Sequence, residues 1–309
     1  MPIRCPDSLP PLEDFVSEPR GHMPASERKN ASEPRISVVM PSYNQGLFIR
    51  RSILSILNQD YANLELIIVD GGSTDETLDI LQEFDPYIDY WTSRPDRGQS
   101  DALNKGFARA TGDIFAWQNA DDLYCPGAFS AVKEAFHRNP SAGIVFGDWV
   151  LVNEADQPIE LNYALPVRWP RFSYENMKVY NQAIFWRREI HLRFGLFDEK
   201  LRRLMDNDMI IRMIRNEGIA GFMRLPIFLG AFRRQGQQKT NLDSMDEIRI
   251  EEESYLETKH RFAPRSSLRG GYSRISFRVF QFYHMFRRGG LLYALNKTRS
   301  GLNYRKGLL

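Results

Sequence analysis

Cysteine is nearly missing from these 309 residues, which hold only Cys5 and Cys125. Two thiols cannot build a disulfide framework or a four-thiolate metal site, and both read as plain thiols of a reducing compartment. No run approaches about 18 consecutive apolar residues, so no membrane-spanning helix is expected. Pro2, Pro6, Pro10 and Pro11 interrupt the first residues, which lack the apolar stretch of a signal peptide. Glycine-rich phosphate loops are also wanting. The turn after the first apolar run reads Pro41-Ser42-Tyr43-Asn44-Gln45-Gly46, with one glycine, and no GxxxxGK[ST] occurs. Both points argue against dinucleotide and P-loop chemistry. Acid is absent after Glu257, where twelve Lys and Arg residues stand alone. The overall charge of +2 therefore hides a body with 29 basic and 39 acidic residues, a formal −10. An acidic body suits a cation-holding site, and a basic tail suits an anionic surface.

What is present begins with a proline-rich stretch, 1–34, which predicts a loose N-terminal arm, with an extension strapped over the body as the other reading. From Arg35 strands and helices alternate. Ile36–Met40 and Leu64–Val69 are short, mostly apolar runs, each with one polar residue (Ser37, Glu65), and have the character of buried strands. Phe48, Ile49, Ile53, Leu54 and Leu57 recur at helical spacing between them. Ser73 or Thr74, with Glu76, predicts a capped helix through Phe84. Further strands are expected at Ile88–Thr92, Ile114–Gln118, Ile144–Val152 and Asn181–Trp186, and helices at Ser100–Ala110, Asp206–Asn216 and Asp243–Phe262. Pro158–Pro170 reads as loop. This order predicts an α/β protein with a parallel sheet between two helical layers. Ligands of such sheets bind beyond the carboxyl ends of the strands, here the polar loops 41–46, 70–75 and 119–122.

Those loops carry suitable chemistry. Asp121 and Asp122, beside Asn119, offer oxygen ligands for Mg²⁺ or Mn²⁺, which would neutralise a diphosphate; a plain turn has the same composition. Asp70 can accept from a nucleoside or cap the following helix. Asp96-Arg97-Gly98-Gln99-Ser100-Asp101 precedes a helix whose N-terminal amides favour anions, with Arg97, Asn104 and Lys105 in reach of phosphate or sugar. Asp206 and Asp208 suit a helix N-terminus, where one can cap while the other takes a proton.

Taken in order, these segments resemble the family-2 inverting glycosyltransferases of GT-A fold. The resemblance rests on Ser37–Asn44, Ile68–Asp75, Pro95–Gly106, Ala110–Asp113, Asn119–Asp122, Phe197–Leu201 and Met205–Asp208. It implies a Rossmann-like, mostly parallel central sheet and transfer of one sugar from a nucleoside-diphosphate-sugar to a hydroxyl acceptor, with the UDP-sugars the expected donors. By the same resemblance Pro41, Tyr43, Asn44, Asp70, Asp96, Arg97, Asp101, Asn119 and Asp121 form the nucleotide-sugar site. Asp121 is the metal ligand, for Mg or Mn, Asp206 is the catalytic base, and Gln182, Trp186 and Asp208 lie on the acceptor side. Three positions depart from the family pattern. Gly71 replaces an acid, Asn119 replaces the first Asp of the DxD element, and Gln235 stands where many relatives have a metal-binding His. The processive Gln-x-x-Arg-Trp element is absent.

The expected layout is an arm (1–34), a catalytic domain (35–257, divided near 140 into donor and acceptor halves) and a helical tail (258–309). In the tail, Ile275, Val279, Phe282 and Phe286 share one helical face among arginines, which suits an anionic membrane surface. Packing on the body is the other reading of the same face. The expected acceptor is a lipid-linked or surface glycan, and the expected place is the cytoplasm, at the inner face of its membrane. No nucleic-acid partner is expected. A sugar nucleotidyltransferase would want a glycine- and lysine-rich first loop, which is missing. A non-catalytic nucleotide-sugar binder is set apart only by assay.

Overall fold

A computed structural model describes residues 12–19, 23–28, 32–166, 180–236, 244–261 and a few positions between 279 and 295. The chain divides into two compact units, 1–164 with 179–252, and 165–178 with 253–309. The first carries everything discussed here except the last turns of one helix and a few tail residues.

In chain order its elements are a single turn α1 (Leu12–Phe15), β1 (Ile36–Ser42), α2 (Gly46–Leu57), β2 (Leu64–Asp70), α3 (Thr77–Glu83), β3 (Tyr90–Ser93) and α4 (Gln99–Phe107). Then come β4 (Ile114–Trp117), β5 (Leu123–Tyr124), α5 (Ala128–Arg138), β6 (Ile144–Val152), β7 (Pro158–Asn162), β8 (Ile184–Arg187), α6 (Arg188–Phe194), α7 (Met205–Glu217), β9 (Phe222–Arg233) and α8 (Ser244–Lys259), which runs into the second unit. Nine strands form one sheet in the order β3-β2-β1-β4-β8-β6-β9-β5, with β7 added on β6. The pairs β1/β2, β1/β4 and β2/β3 are parallel, as is β6/β9, while β8 runs antiparallel between β4 and β6. The donor half thus has the expected parallel order, and the second half is mixed.

β1 and β2 are buried on both faces, which explains their mostly apolar runs, and the polar residues inside them, Ser37 and Glu65, are satisfied by a hydrogen bond from the Ser37 hydroxyl to the Glu65 carboxylate. Ile36, Val38 and Met40 join Ile49, Ile53 and Ile56 of α2 in one core. On the opposite face, Val39 meets α4, where a side chain on Gly106 would lie 2.3 Å from Val39 Cγ1. Only glycine lets the helix lie that close. Pro41 falls beyond the β4 ladder, which ends at Val39, so its missing N–H costs no bond there.

Several expectations change. Where it is described, the N-terminal stretch is strapped down rather than loose. Leu12, Phe15 and Val16 are buried in the core, Asn58 Nδ2 donates to the carbonyls of Phe15 and Glu18, and Arg28 pairs with Asp89. Burying three apolar side chains, at roughly 2 kcal/mol each, is enough to hold it. Helix α3 starts at Thr77, because Ser73 and Thr74 are used elsewhere and Asp75 Oδ1 takes the Thr77 N–H at 3.1 Å. Asn181–Ala183 is a 3₁₀ turn ahead of β8, and Pro158–Asn162 is a strand rather than loop. Most of the tail, including Ile275, lies outside the described residues. Val279 and Phe286 are helical and exposed. Among the described residues no helix is long and apolar enough to cross a membrane.

Candidate functional site

The turn after β1 is latched to the turn after β2. Asn44 takes a left-handed φ of 51°, donates its N–H to Ser73 Oγ (2.7 Å) and accepts from the Thr74 N–H through Oδ1 (2.9 Å). The N–H groups of Gln45 and Gly46 continue the latch to Thr77 Oγ1 (3.0 Å) and Asp75 Oδ2 (2.9 Å). Asn is among the few residues that enter this backbone region readily. Pro41 is buried, while the Tyr43 ring is 60% exposed and stands at the rim. Asp70 ends β2 fully buried. Its carboxylate accepts from the N–H groups of Gly72 (3.1 Å) and Ser73 (2.8 Å) and from the hydroxyls of Ser73 (2.5 Å) and Ser93 (2.6 Å). It shapes the turn, which is the capping alternative read from the sequence.

Asp96 leans against that turn. Its Oδ2 sits 2.9 Å from where a side chain on Gly71 would begin, and its Oδ1 accepts from Gly98 N–H (2.8 Å). The acid missing at position 71 therefore has its space taken by the carboxylate of Asp96. Asp101 opens α4. Burial pushes its pKa up, but hydrogen bonds from Lys105 and Arg97 outweigh that and hold it at about 2. Arg97 is exposed and also reaches Glu199 at 2.9 Å. Asn104 is not directed at a ligand, because it clamps Phe197 by donating to its carbonyl (3.0 Å) and accepting from its N–H (2.7 Å).

Beyond β4, Asn119 Oδ1 accepts from Gln99 Nε2 (2.7 Å) and Trp117 Nε1 (2.8 Å), and its Nδ2 donates to Asp122 Oδ2 (3.0 Å). Asp122 is fully buried. Burial first, and the Asp121 charge second, raise its pKa well above the carboxylate range. It cannot serve as an exposed metal ligand. The last residues of β9 support this loop. Buried Arg233 donates from N to Asp122 Oδ1 (3.0 Å), from Nη1 to the Asp121 carbonyl (2.7 Å), and from Nε and Nη2 to Asp156. Gln235 Nε2 lies 3.2 Å from Asp121 Oδ2. Asp121 is only half-buried. Among the described residues no three His, Cys, Asp or Glu side chains cluster to hold a metal ion. A hard cation still fits this corner, with Asp121 supplying a carboxylate oxygen, Gln235 an amide oxygen once its amide is turned, and a diphosphate the remainder.

Asp206 lies in the first turn of α7, half-buried. Burial raises its pKa to about 6, the nearby Glu252 charge adds to this, and N–H bonds from Asn207 and its own residue oppose it. The α4 N-terminus joins it to the other loops. Ser100 Oγ donates to the Leu201 carbonyl (3.2 Å) and contacts Met205 Sδ (3.4 Å), next to the Gln99–Asn119 bond. The contacts run unbroken from Asn44 through Ser73, Asp70 and Ser93 in one branch, and from Asp121 through Asp122, Asn119 and Gln99 to the α7 start in the other.

Two acceptor-side expectations are corrected. Trp186 is fully buried, packed with Phe107 (5.5 Å between rings), His191 and Phe194, and has no surface for an acceptor. Asp208 is fully buried with its carboxylate 2.8 Å from Arg212 Nε, one helical turn on. Gln182 is also fully buried, yet its amide oxygen and nitrogen meet no partner among the described residues. Glu252, which takes three backbone N–H groups ahead of α7, was not foreseen, and no local motif marks it. Arg233 and Asp156 escaped in the same way.

A family model described as glycosyl transferase family 2 matches residues 37–201, a little over half of the chain. An uncharacterized glycosyltransferase of Nostoc sp. is 36% identical over 114 residues, covering 36% of this chain and 35% of that relative. The match thus spans about a third of that relative's length. A PGL/p-HBAD biosynthesis glycosyltransferase of Mycobacterium bovis is 30% identical over 190 residues, 60% of this chain and 72% of the relative. Among solved structures, the mannosyltransferase PcManGT from Pyrobaculum calidifontis with GDP-Man and Mn²⁺ aligns with a TM-score of 0.56 at 18% identity, over 96% of this chain and 88% of that one. TarS residues 1–349 of S. aureus with UDP-GlcNAc aligns at 0.54 and 15% identity, over 88% of this chain and 92% of that one.

Proposed function

The chain belongs to glycosyl transferase family 2, and from that premise we propose that it moves a single sugar, with inversion, from a nucleoside-diphosphate-sugar to a hydroxyl of a lipid-linked or surface glycan. A UDP-sugar is the preferred donor, in line with the UDP-GlcNAc bound by TarS, while the GDP-Man of PcManGT marks the alternative base. Pro41 and Tyr43 line the nucleoside side. Asn44 and Asp70 fix the turns that receive it. Asp96, Arg97, Asp101 and Asn119 bound the sugar-phosphate side. Asp121, with Gln235 beside it, would hold Mg²⁺ or Mn²⁺, which when bound offsets the charge of the departing diphosphate. Gln182, with its buried amide unspent, is the acceptor-side group retained.

Asp206 takes the acceptor proton as the hydroxyl attacks. The observation that carries this role is its position: a half-buried carboxylate in the first turn of α7, with its pKa raised to about 6 and tied through Ser100 and Gln99 to the Asn119–Asp121 loop. A base whose pKa lies near the working pH is ionised yet still proton-hungry. The test is nucleoside-diphosphate release with a panel of UDP- and GDP-sugars and Mn²⁺, wild type against Asp206→Asn. The proposal expects the variant to lose at least about 100-fold in kcat. Equal turnover by the two proteins would remove Asp206 from the chemistry.

A further inference from the structure

Helix α7 opens without a side-chain cap from its own sequence. Its approach residues are capped from far down the chain. Glu252, on α8, accepts from the N–H groups of Arg202 (2.5 Å), Arg203 (3.0 and 3.3 Å) and Leu204 (2.8 Å). The side chain is 5% exposed, and no described basic side chain forms an ion pair with it. A buried carboxylate held by main-chain N–H groups and the helix dipole alone is costly, and a local Ser or Asp could cap the helix more cheaply. Its placement two residues before Asp206 gives the expense a purpose.

We propose that Glu252 is a positioning residue for Asp206: it takes the backbone N–H groups that lead into α7, so that the Asp206 carboxylate is not drawn back to cap them and stays aimed at the acceptor. Asp206 keeps the N–H groups of Asn207 and of its own residue, in the first turn of α7, and the Glu252 charge lies close enough to be felt by it. The expectation that Asp206 and Asp208 divide capping and catalysis is thereby replaced. Asp208 serves Arg212, and the cap comes from a residue outside the span matched by the family model. The inference rests on Asp206 acting as base.

The test compares wild type, Glu252→Gln, Asp206→Asn and the double variant by steady-state nucleoside-diphosphate release and by thermal melting. Glu252→Gln keeps the shape but puts an amide N–H against backbone N–H groups. Its kcat should fall roughly 10- to 100-fold, the cost of a small misplacement of a catalytic group, with donor KM within about two-fold. In the Asp206→Asn background it should cost no further activity, because two residues acting through one group are not additive. If Glu252→Gln does not accumulate as folded protein, Glu252→Asp, one methylene short of the same N–H groups, is read in its place. Wild-type kcat in a Glu252 variant whose Asp206→Asn counterpart is dead overturns this proposal alone. A further loss in the double variant overturns it too. Full activity of Asp206→Asn overturns the base assignment beneath it.

Discussion

Replacing Asp206 by asparagine is expected to stop turnover and, at neutral pH, to make the protein more stable. In the folded chain the Asp206 pKa stands at about 6 against an ordinary 3.8, chiefly through burial. A raised carboxylate pKa means that the folded state holds its proton more tightly than the unfolded chain does. Wild-type stability therefore falls as pH rises from about 4 to 6 and stays lowered above that range. The two-unit gap corresponds to about 3 kcal/mol, and the solvent still reaching this half-exposed group reduces it to roughly 1–3 kcal/mol. Asparagine keeps an oxygen for the Asn207 N–H and carries no charge. The variant should thus gain roughly 1–3 kcal/mol over wild type at pH 7.5, about 2–8 °C in melting temperature, and nothing at pH 4. Thermal melts of both proteins across pH 4–8 measure this. A variant less stable than wild type at pH 7.5, or a difference that does not change with pH, would refute the reasoning. On the activity side, the acid limb of the wild-type pH–rate profile should rise through about 6.

Other expected outcomes rest on separate contacts. Mn²⁺ with a nucleoside diphosphate should raise the wild-type melting temperature, and Asp121→Asn should abolish that rise, because the Asp121 carboxylate beside Gln235 is the proposed metal donor. Arg233→Met leaves buried Asp156 and the Asp121 carbonyl short of a donor and should cost about 3–5 kcal/mol in urea unfolding. Gly106→Ala puts a methyl 2.3 Å from Val39 Cγ1 and should cost roughly 1–3 kcal/mol by the same measurement. Asn44→Ala loses the Thr74 bond and strains a left-handed backbone. Donor KM should rise about ten-fold with kcat little changed, measured by initial rates.

The donor half was readable because its signals are local. Ile36–Met40 and Leu64–Val69 declare buried strands by composition, and the stripe of α2 by spacing. α5 was not read from the sequence, although Ala128, Phe129, Val132, Ala135 and Phe136 fall on one helical face and are all buried. β9 was harder to read. Pro226 and Gly230 break its pattern, and Gly230 is kept small by the Gln182 main chain 2.0 Å from where a side chain would begin. The loop residues were recognisable, but what they bind to was not. Ser73 looked like a helix cap and instead serves Asn44 and Asp70. Asp208 looked like a partner of Asp206 and instead belongs to Arg212. Glu252, Arg233 and Asp156 act on groups 48 to 112 residues away, and nothing near them in the chain gives warning.

The most direct test is the configuration of the product. With an α-linked UDP-sugar that the protein turns over, proton NMR of the anomeric signal during early turnover should show a β-linked product, because Asp206 activates a hydroxyl that attacks opposite the departing diphosphate. An α-linked first product would contradict the account.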